Sequence, residues 1–559
     1  MRIVGISPSH DSSVCVLNDG VIEGFYKEER FCRVKKEAKP YLAMIEAQKH
    51  LWGPVDFVVI ASPDKPNAHS VDLLAERLFG CPVLDMCGQH HIQHAALAFE
   101  NSRFDEALIF VMDRNGSIVH DCMRESESVI IAKKDPYTFE EIYKNYWADK
   151  DNLWVGRDHS KVINDVITHL NHGGCKHVCR SSYNVTKVYE SATTLIGQHP
   201  LENGKTMGLT AYGCPDGFPD LFMDSLDPDV HMIPHDSYFN HVEGKSNILQ
   251  VEFRELSHHT VDKVPTEDYE LYADYAKHVQ NQTQEAVSKC IKHYAESTGI
   301  KNIIVTGGFG MNVVANSYYV KSSPDLNFFF EPVADDTGNS IGAAMYTYKQ
   351  KTGDTRNFGL VDTFIHGHQY PSGDIGQPVA LFEVVALLLD NKSVAVFRRN
   401  AEGGQRALGN RSILFNALNP DAKQVLNRIK KREWYRPFAA IVLEEDANIY
   451  FDMMGITSNE NMTQSFQVRE EHFDLLKGVV HVDGSCRLQT VGNGHCLREL
   501  LEEFKQRTGS GILVNTSFNL AGDPLVETLD QALETLSKSE LDYLWLADDK
   551  KIVVKEKSS

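Results

Sequence analysis

The chain has 559 residues, of which 42% are apolar and 24% charged, the balance of an ordinary globular protein. This length predicts two or more domains, because a single hydrophobic core rarely grows so large. The formal net charge of −21, from 77 acidic and 56 basic residues, argues against indiscriminate binding to nucleic acid.

The cysteines and the apolar runs of the sequence indicate the cellular location of the protein. Eleven cysteines are scattered without the spacing of a disulfide framework, which predicts reduced thiols and a cytoplasmic location. No apolar run approaches the roughly 20 residues that cross a bilayer, so we expect no membrane partner. The first residues, MRIVGI, predict a strand rather than a signal peptide, because their apolar run ends at Ser7 and Pro8.

The first 25 residues predict a β-hairpin. Apolar runs at 3–6 and 14–17 flank a polar turn, and Asn18-Asp19-Gly20 predicts a tight turn before a strand at 21–26. Periodicity predicts these further elements: a helix at 40–51, buried strands at 57–60 and 107–112, a helix at 267–297, a strand from 302 ending in a glycine turn at 307–308, and a helix after Gly338.

A domain boundary is predicted at 352–380, where Gly, Asp, Pro and Thr are frequent and periodicity is lost. After it, the apolar run at 393–397 opens a new α/β unit. We therefore expect domains at 1–355 and 380–559. The polar, irregular stretch at 214–265 is typical of an insertion or lid.

Cations are concentrated in the second half of the chain. Arg406 and Arg411 lie five residues apart and precede Lys430, Arg432 and Arg436. A polar loop follows with Asn515, Ser517 and Asn519. Guanidiniums gathered in this way predict a site for a doubly charged oxyanion such as a phosphate. The alternative is a set of surface salt bridges with nearby glutamates, among them Glu402, Glu433, Glu444 and Glu445.

A second candidate site lies in the first half. His90 and His94 are one helical turn apart and would face the same way, as chelation of one metal ion requires. Asp113, after a buried strand, and either Asp335 or Asp336 could complete the set. A mixed histidine and carboxylate set suits Fe, Mn or Zn. The alternative is a pair of exposed or capping histidines.

Other motifs are weaker. The glycine turn at 307–312 could bring backbone amides close to a phosphate or nucleoside. The loop around Lys205 is flanked by glycines but lacks the spacing of a P-loop. A compact set of soft ligands could bind zinc or could be an ordinary polar loop; its members are His169, His172, Cys175, His177 and Cys179.

Taken together, the motifs resemble those of the carbamoyltransferases of the nodulation-factor and antibiotic type, tobramycin and cephalosporin carbamoyltransferases among them. The resemblance runs from about residue 3 to 549. The matching segments, in order, are SHDSS at 9–13, EERF at 28–31 with Arg33 and Lys35, HHIQHA at 90–95, GKTMGL at 204–209, Gly307-Gly308 with Asn312, Asp336 with Gly338, RALGNRS at 406–412, HVDG at 481–484 and NTSFN at 515–519.

This resemblance implies an α/β protein of two domains. The N-terminal domain would be of the actin/Hsp70-like (ASKHA) ATPase type, and the C-terminal domain would be similar to threonylcarbamoyl-AMP synthases (YrdC-like). It implies that the C-terminal domain makes carbamoyl adenylate from carbamoyl phosphate and ATP. The N-terminal domain then carbamoylates an acceptor hydroxyl, leaving AMP.

The resemblance also assigns roles. Metal ligands would be His90, His94, Asp113 and Asp336, and catalytic residues would be His10, Asp11, Arg406 and Arg432. His10 would polarise the carbonyl or accept the proton of the acceptor. The remaining contacts to ATP or carbamoyl phosphate would be Lys205, Gly307, Gly308, Asn312, Arg411, Lys430, Arg436, Asn515, Ser517 and Asn519. ATP, Mg²⁺, carbamoyl phosphate and a divalent Fe, Mn or Zn are the expected ligands. Arg114 stands after Asp113 where relatives carry a glycine-rich run.

Several alternatives remain for the acceptor and the function. The acceptor could be a sugar or another small natural product with a free hydroxyl. It could instead be 5-hydroxymethylcytosine, as a nucleotide or within viral DNA, because two basic runs could line a nucleic-acid channel. These runs are Arg30, Arg33, Lys35, Lys36 and Lys39, and His172, Lys176, His177, Arg180 and Lys187. A chaperone-like ATP-binding module is the alternative from another class, and a homodimer is possible.

Overall fold

The computed structural model describes residues 1–63, 65–119, 123–148, 175–181, 185–218, 220–222, 231–232, 269–356, 369–371, 373–398 and 400–555. The chain divides into two compact units. The first comprises Met1–Val21 and Gln48–Leu360, and the second comprises Ile22–Ala47 and Val361–Ser559.

Both units contain strands and helices. The strands are β1 (Arg2–Ser7), β2 (Ser13–Asn18), β3 (Val21–Lys27), β4 (Phe57–Ile60), β5 (Val83–Asp85), β6 (Glu106–Met112), β7 (Ile118–Val119), β8 (Met123–Lys134), β9 (Tyr137–Ala148), β10 (Lys176–Ser181), β11 (Asn302–Thr306), β12 (Asn327–Phe330), β13 (Gln377–Pro378), β14 (Val394–Phe397), β15 (Arg411–Asn416), β16 (Ala439–Leu443), β17 (Phe451–Asp452), β18 (Ser465–Val468), β19 (Ser485–Val491), β20 (Ile512–Ser517), β21 (Tyr543–Leu546) and β22 (Lys551–Val554). The α-helices are α1 (Glu28–Cys32), α2 (Tyr41–Lys49), α3 (Lys65–Phe79), α4 (His90–Ser102), α5 (Val185–Leu195), α6 (Asn203–Leu209), α7 (Tyr269–Thr298), α8 (Val313–Ser322), α9 (Asn339–Thr352), α10 (Leu381–Leu389), α11 (Ala422–Lys430), α12 (Glu444–Tyr450), α13 (Arg498–Thr508) and α14 (Leu529–Lys538).

The elements predicted from periodicity are confirmed. The hairpin forms from β1 and β2, which pair antiparallel, and the helix predicted at 267–297 is α7. The strand predicted at 107–112 is β6, buried along all but its first residue. The helix after Gly338 begins at Asn339. These elements are set by local pattern, which explains why the sequence alone located them.

Two sheets form the first unit. One runs β2-β1-β4-β5, with β1, β4 and β5 parallel. The other runs β10-β9-β8-β6-β11-β12, with β6, β11 and β12 parallel. Helices α4 and α9 pack against each other, and α9 also packs on β1. Because parallel strands carry their loops at a common edge, the residues after β6 and β11 meet there.

The second unit is built on one sheet, of order β13-β22-β21-β14-β15-β20-β16-β19-β18-β17. Its two faces are both covered. Side chains alternate along β15, so Ile413 and Phe415 join one core while Leu414 joins the other. An α/β fold in both units agrees with the sequence prediction.

The sequence analysis places residues 22–47 in the first domain, but they cluster with the second unit. The Arg30 guanidinium lies 3.3 Å from the Glu527 carboxylate and donates to the Gly404 carbonyl at 3.2 Å. Arg33 donates to the carbonyls of Pro524 and Leu525 at 2.9 and 2.8 Å. Pairings between residues almost 500 positions apart leave no local signal in the sequence.

The contact between α4 and α9 depends on a glycine. A Cβ added at Gly342 would lie 1.9 Å from the carbonyl oxygen of Gln93, and both backbones are buried inside the unit. Only glycine therefore lets the two helices approach this closely. The same contact fixes the first turns of both helices, which carry the candidate metal site.

We predict that Gly342→Ala destabilises the protein by about 3 kcal/mol or more, because the backbone of one helix must move. Gly353→Ala, at the end of the same helix, is the matched control. Its φ of +66° is unfavourable for alanine but nothing lies within 4 Å of its Cβ, so we expect a cost of about 1 kcal/mol. Urea unfolding of both variants measures the difference, and equal costs would contradict the steric explanation.

Candidate metal centre and candidate anion site

Four predicted ligands converge in the first unit. One donor atom each from His90, His94, Asp113 and Asp336 lies within 4.8 Å of the others, and all four side chains are buried. His90 Nε2 is 3.2 Å from Asp113 Oδ2, 3.4 Å from Asp336 Oδ1 and 3.3 Å from His94 Nε2. His94 Nε2 is 3.4 Å from Asp336 Oδ1. Of the two aspartates that spacing left open, Asp336 belongs to this set.

The four ligands come from three segments of the chain. His90 and His94 occupy the first two turns of α4, whereas Asp113 follows β6 directly and Asp336 begins a short turn at Asp336–Gly338 before α9. Ser9 Oγ, in the turn between β1 and β2, donates to Asp336 Oδ2 at 3.2 Å. Thr186 Oγ1 donates to the Asp113 carbonyl at 2.7 Å.

The charged side chains of this cluster shift one another's pKa values strongly. Burial by itself would lower the pKa of His90, but the charges of Asp336 and Asp113 raise it well above its ordinary value. Burial would raise the pKa of Asp336, and the histidines hold it well below its ordinary value. Two carboxylates held together in a buried space need compensating positive charge.

The donor set fits a divalent metal. Two imidazole nitrogens and two carboxylate oxygens lie within 4.8 Å of one another, and all four residues are buried. A set of this kind suits Fe, Mn or Zn better than Mg²⁺ or Ca²⁺, which prefer oxygen alone.

His10 and Asp11 lie in the turn after β1. His10 Nδ1 is 3.8 Å from Asp11 Oδ2. Burial alone would lower the pKa of His10, but the neighbouring Asp11 carboxylate and the charge of Asp336 raise it to about 9. Asp11 adopts a φ of +62°, which turns the chain sharply at this point.

Glycines 307 and 308 border the metal cluster. The Gly308 amide lies 3.5 Å from Asp113 Oδ1. Gly307 has a φ of +83°, and a Cβ there would lie 2.5 Å from the Met112 carbonyl oxygen, so glycine is required by the crossing of two strand ends. The approach of these backbone amides to a phosphate or nucleoside stays a prediction.

Other predicted contacts of the first unit are engaged elsewhere. Asn312 caps α8 by accepting from the Ala315 amide, and its amide group donates to Gln280 at 2.9 Å. Lys205 Nζ is 2.9 Å from the Glu202 carboxylate. Arg114 forms a two-point ion pair with Glu190, at 2.6 and 2.9 Å. The structure does not bring these three side chains into the metal cluster.

The predicted zinc cluster was not located. His169 and His172 lie outside the described residues, as do most of the predicted lid at 214–265 and 357–368 of the boundary segment. Cys175 is partly buried, and its thiol pKa is raised by burial to about 12.

The cations predicted to bind an anion do gather in the second unit. Burial lowers the pKa of Arg406 and of Arg432, and the charges of Arg436 and Arg487 lower both further. Lys430 is buried, and its pKa is lowered well below its ordinary value by burial and then by Arg432. Buried cations that repel one another destabilise the fold unless an anion joins them.

The polar loop completes this site. Lys430 Nζ donates to the Ser517 carbonyl, to Ser517 Oγ at 3.2 Å and to Asn519 Oδ1 at 3.0 Å. The Arg432 guanidinium lies 4.8 Å from the centre of the Phe438 ring. Among the described residues, Nε of Arg432 is buried without a hydrogen-bond partner. Donors are thus available for a ligand.

Arg487 was missed by the sequence analysis. It lies on β19 opposite Ala439, and its pKa is lowered to about 10, chiefly by burial and next by Arg436. Its Nε is also buried without a partner among the described residues. A single arginine in a strand gives no motif, so only the sheet register brings it into the cluster.

Arg411 is placed apart from the cluster. Its guanidinium donates to the carbonyls of Arg398, Asn410 and Glu527 and stacks 3.7 Å from the Phe397 ring centre. Its side chain is completely buried. Arg411 therefore stabilises this loop, and its predicted contact with ATP or carbamoyl phosphate stays a prediction.

The loop that carries Arg406 is held by buried polar groups. The Glu402 carboxylate accepts from the amides of Leu408, Asn410 and Arg411 at 2.7, 2.8 and 3.1 Å. Asn515 Nδ2 donates to the Ala407 carbonyl at 3.1 Å. Glu402 thus holds the backbone of this loop through hydrogen bonds. It is not the salt-bridge partner of the cations that the sequence analysis considered.

Comparison with known proteins identifies the family. The model of the carbamoyltransferase N-terminus matches residues 71–345, and that of the carbamoyltransferase C-terminus matches residues 385–554. Together they cover most of the chain. The chain belongs to the carbamoyltransferase family, and it is an enzyme of carbamoyl transfer.

Similar proteins span nearly the whole chain. Nodulation protein U of Rhizobium tropici is 29% identical over 98% of this chain and 95% of its own length. Nodulation protein NolNO of Sinorhizobium fredii is 27% identical over 93% of this chain and 70% of its own length. The uncharacterized protein sll1178 of Synechocystis sp. is 28% identical over 98% and 95%.

Among solved structures, full-length HypF in the phosphate- and nucleotide-bound form is similar at a TM-score of 0.37 and 12% identity. The match covers 63% of this chain and 56% of that one. This chain thus spans little more than half of HypF, and similarity at this level supports no functional inference. In the described part of the chain, no helix has both the length and the apolarity needed to span a bilayer.

We predict that His94→Ala abolishes stoichiometric binding of a divalent metal, because one of four ligand atoms is lost. His91→Gln is the matched control on the same helix. His91 is buried, but its Nδ1 bonds Ser128 Oγ at 2.6 Å and it is not part of the donor set. Metal content by elemental analysis after dialysis distinguishes the two; stoichiometric metal in His94→Ala would show that the ligand assignment is wrong.

A second prediction concerns Glu127, which supports α5 beside the metal cluster. Burial raises its pKa to about 8, against about 4.3 in an unfolded chain. The native state thus holds an extra proton between these values, so its stability falls as pH rises through this range, by up to about 1.4 kcal/mol per pH unit.

We therefore expect Glu127→Gln, which keeps the acceptor for Asn145, to exceed the wild type in stability at about pH 8 and to lose this advantage towards about pH 5. Urea unfolding across this range measures it. The exposed Glu106→Gln is the control and should track the wild type; parallel curves for Glu127→Gln would refute the prediction.

Proposed function

We propose that this protein is an ATP-dependent O-carbamoyltransferase. In its second unit, water cleaves carbamoyl phosphate to carbamate and phosphate, and the carbamate oxygen attacks the α-phosphate of ATP, displacing pyrophosphate and giving carbamoyl adenylate. Its first unit then transfers the carbamoyl group to an acceptor hydroxyl, which loses its proton, with release of AMP. In this proposal the first unit is an ASKHA-type ATPase fold and the second is YrdC-like, as the sequence resemblance implies.

The observation that carries the proposal is the buried cationic cluster of the second unit. Carbamoyl phosphate is a small dianion with a planar amide end. Arg406, Arg432 and Arg487 would neutralise its phosphate, and their depressed pKa values mean that an anion gains much by joining them. Ser517 and Asn519, which meet at Lys430, would hydrogen-bond its oxygens.

The proposed reaction also requires positive charge that is in place before the substrates bind. Loss of phosphate and attack on ATP both develop negative charge on oxygen. Donors that are already in place stabilise this charge without reorganisation. A pure ATP-binding module of the chaperone type has no need for such a cluster, which argues against that alternative.

In the first unit, the residues fit transfer of the carbamoyl group. His90, His94, Asp113 and Asp336 would hold the metal, which would supply a Lewis acid for the adenylate phosphate. His10 would either donate a hydrogen bond to the carbonyl oxygen of the carbamoyl group or accept the proton of the acceptor hydroxyl.

The acceptor is proposed to be a small molecule with a free hydroxyl. Two members of the first basic run, Arg30 and Arg33, are occupied by Glu527 and by the carbonyls of 524 and 525 within the second unit. Lys187 of the second run lies 3.3 Å from the Glu190 carboxylate. Side chains engaged in this way contribute little to a nucleic-acid channel, so modification of 5-hydroxymethylcytosine is the weaker candidate.

We predict that Arg432→Ala reduces carbamoyl adenylate formation by about 100-fold or more, because one preorganised charge is lost at the anion. Arg428→Ala is the matched control. Arg428 lies on α11 and is two-thirds exposed in a surface ion pair with Glu540, so its loss should leave the rate unchanged. The assay follows release of pyrophosphate from ATP with carbamoyl phosphate present. Equal rates in the two variants would contradict the proposed anion site.

The whole reaction is tested by mass spectrometry. Protein, ATP and carbamoyl phosphate are incubated with an aminoglycoside, simple sugars, or a hydroxymethylcytosine nucleotide or DNA. One acceptor should gain a mass of about 43, that of a carbamoyl group replacing hydrogen, with an equal amount of AMP. Gain on the DNA alone would favour the second candidate, and absence of ATP turnover in every mixture would refute the proposal.

A further inference from the structure

Asn515 carries a buried acceptor beside the cationic cluster of the second unit. The residue lies on β20, and its side chain is completely buried. Its Oδ1 atom has no hydrogen-bond partner among the described residues. A buried oxygen without a partner costs free energy, which a ligand with a hydrogen to donate would recover.

The orientation of the Asn515 amide is fixed by its neighbours. Nδ2 donates to the Ala407 carbonyl at 3.1 Å and to Gln489 Oε1 at 2.7 Å, which uses both of its hydrogens. Gln489 is held in turn, because its own Nε2 donates to the Leu408 carbonyl at 3.0 Å. Reversal of the Asn515 amide would place its oxygen against two other oxygens. Oδ1 must therefore point away from these groups.

The sheet register places Asn515 and Arg487 on one face. Both residues pair with Ala439 of the strand between them, Asn515 from β20 and Arg487 from β19. Directly paired residues project their side chains to the same face of a sheet. Two strand spacings, about 10 Å, separate their backbones, and the strand between them contributes only the small side chain of Ala439. A ligand as short as carbamoyl phosphate can therefore face Arg487 at one end and Asn515 at the other.

The donors and the acceptor of this site suit different parts of such a ligand. Nε of Arg432 and Nε of Arg487 are buried without partners among the described residues, and both are donors. Arg406 directly precedes Ala407, whose carbonyl Asn515 holds, so the loop of Arg406 lies over the same face. Guanidinium donors suit phosphate and carboxylate oxygens. An acceptor such as Oδ1 suits an N–H group instead, and carbamoyl phosphate offers one in its amide.

We propose that Asn515 Oδ1 accepts a hydrogen bond from the amide nitrogen of carbamoyl phosphate, and of the carbamate formed from it, and so selects a carbamoyl group over an acyl group without N–H. This inference rests on the proposed function. The cations bind the phosphate of any acyl phosphate, so they do not distinguish a carbamoyl from an acetyl group of nearly equal size. A methyl group in place of the amide leaves Oδ1 buried and unpaired. Asn515 thus sets the acyl specificity of the first step.

Two stable phosphonates test this selection in the full-length chain without turnover. Phosphonoacetamide carries the amide of carbamoyl phosphate, and acetonylphosphonate carries a methyl group in its place. Calorimetric titration should show that the wild type binds the amide about 10- to 100-fold more tightly than the methyl ketone. Asn515→Leu, which keeps a side chain of similar volume but removes the acceptor, should bind the two phosphonates equally.

Gln489→Leu is the matched control. Gln489 is also completely buried and holds the same loop at Leu408. Its loss should weaken both phosphonates by one common factor and leave the ratio of their dissociation constants unchanged. A merely structural role of Asn515 would give this same result, so the ratio separates selection of the amide from support of the loop. If Asn515→Leu fails to fold, Asn515→Ala takes its place with the same expectation.

Failure of the inference is distinguishable from failure of the proposals on which it rests. A wild type without preference for the amide, or an unchanged ratio in the folded Asn515 variant, would overturn the inference. If the wild type binds neither phosphonate, the anion site and the inference fail together. If it prefers the amide but releases no pyrophosphate from ATP with carbamoyl phosphate present, the proposed adenylation fails and the selection by Asn515 stands.

Discussion

Burial of like charges is the constraint on which both candidate sites depend. In the first unit, two carboxylates share a space with little water, and in the second, several cations do. Each arrangement costs free energy in an isolated fold, and a ligand of opposite charge offsets that cost. The opposite signs of the buried charges explain why the first unit suits a divalent cation and the second a dianion.

The fold tolerates this cost because the surrounding backbone is rigidly held. Glycine at 342 lets two helices meet, and glycine at 307 lets two strand ends cross, so the ligands sit on elements that cannot relax away from one another. In the second unit, Glu402 plays the corresponding part by accepting three backbone amides of the cationic loop. Binding strength in both sites thus rests on groups that never touch a ligand.

Residues of a single motif can have two different roles: some belong to a candidate site, and others hold the backbone around it. Arg406 and Arg411 stand in the same short segment, yet Arg406 lies among the cations, while Arg411 donates to the carbonyls of Arg398, Asn410 and Glu527. Asn312 likewise caps a helix, and Asn339, outside every motif, faces a metal ligand. Within one motif of this chain, the geometry therefore separates residues that hold the backbone from residues that join a candidate site.

The sequence by itself determined the local elements and the α/β class, and through the family resemblance it predicted the metal set and most of the cationic set. The local elements and the pairing of His90 with His94 on one helix depend on periodicity or on residues close together in the chain. Tertiary structure alone decided the remainder. It brought Asp113 and Asp336 to the two histidines, brought Arg487 to the cations through sheet register and joined residues 22–47 to the second unit. These outcomes depend on contacts between distant residues, whose partners the chain does not specify until it is folded.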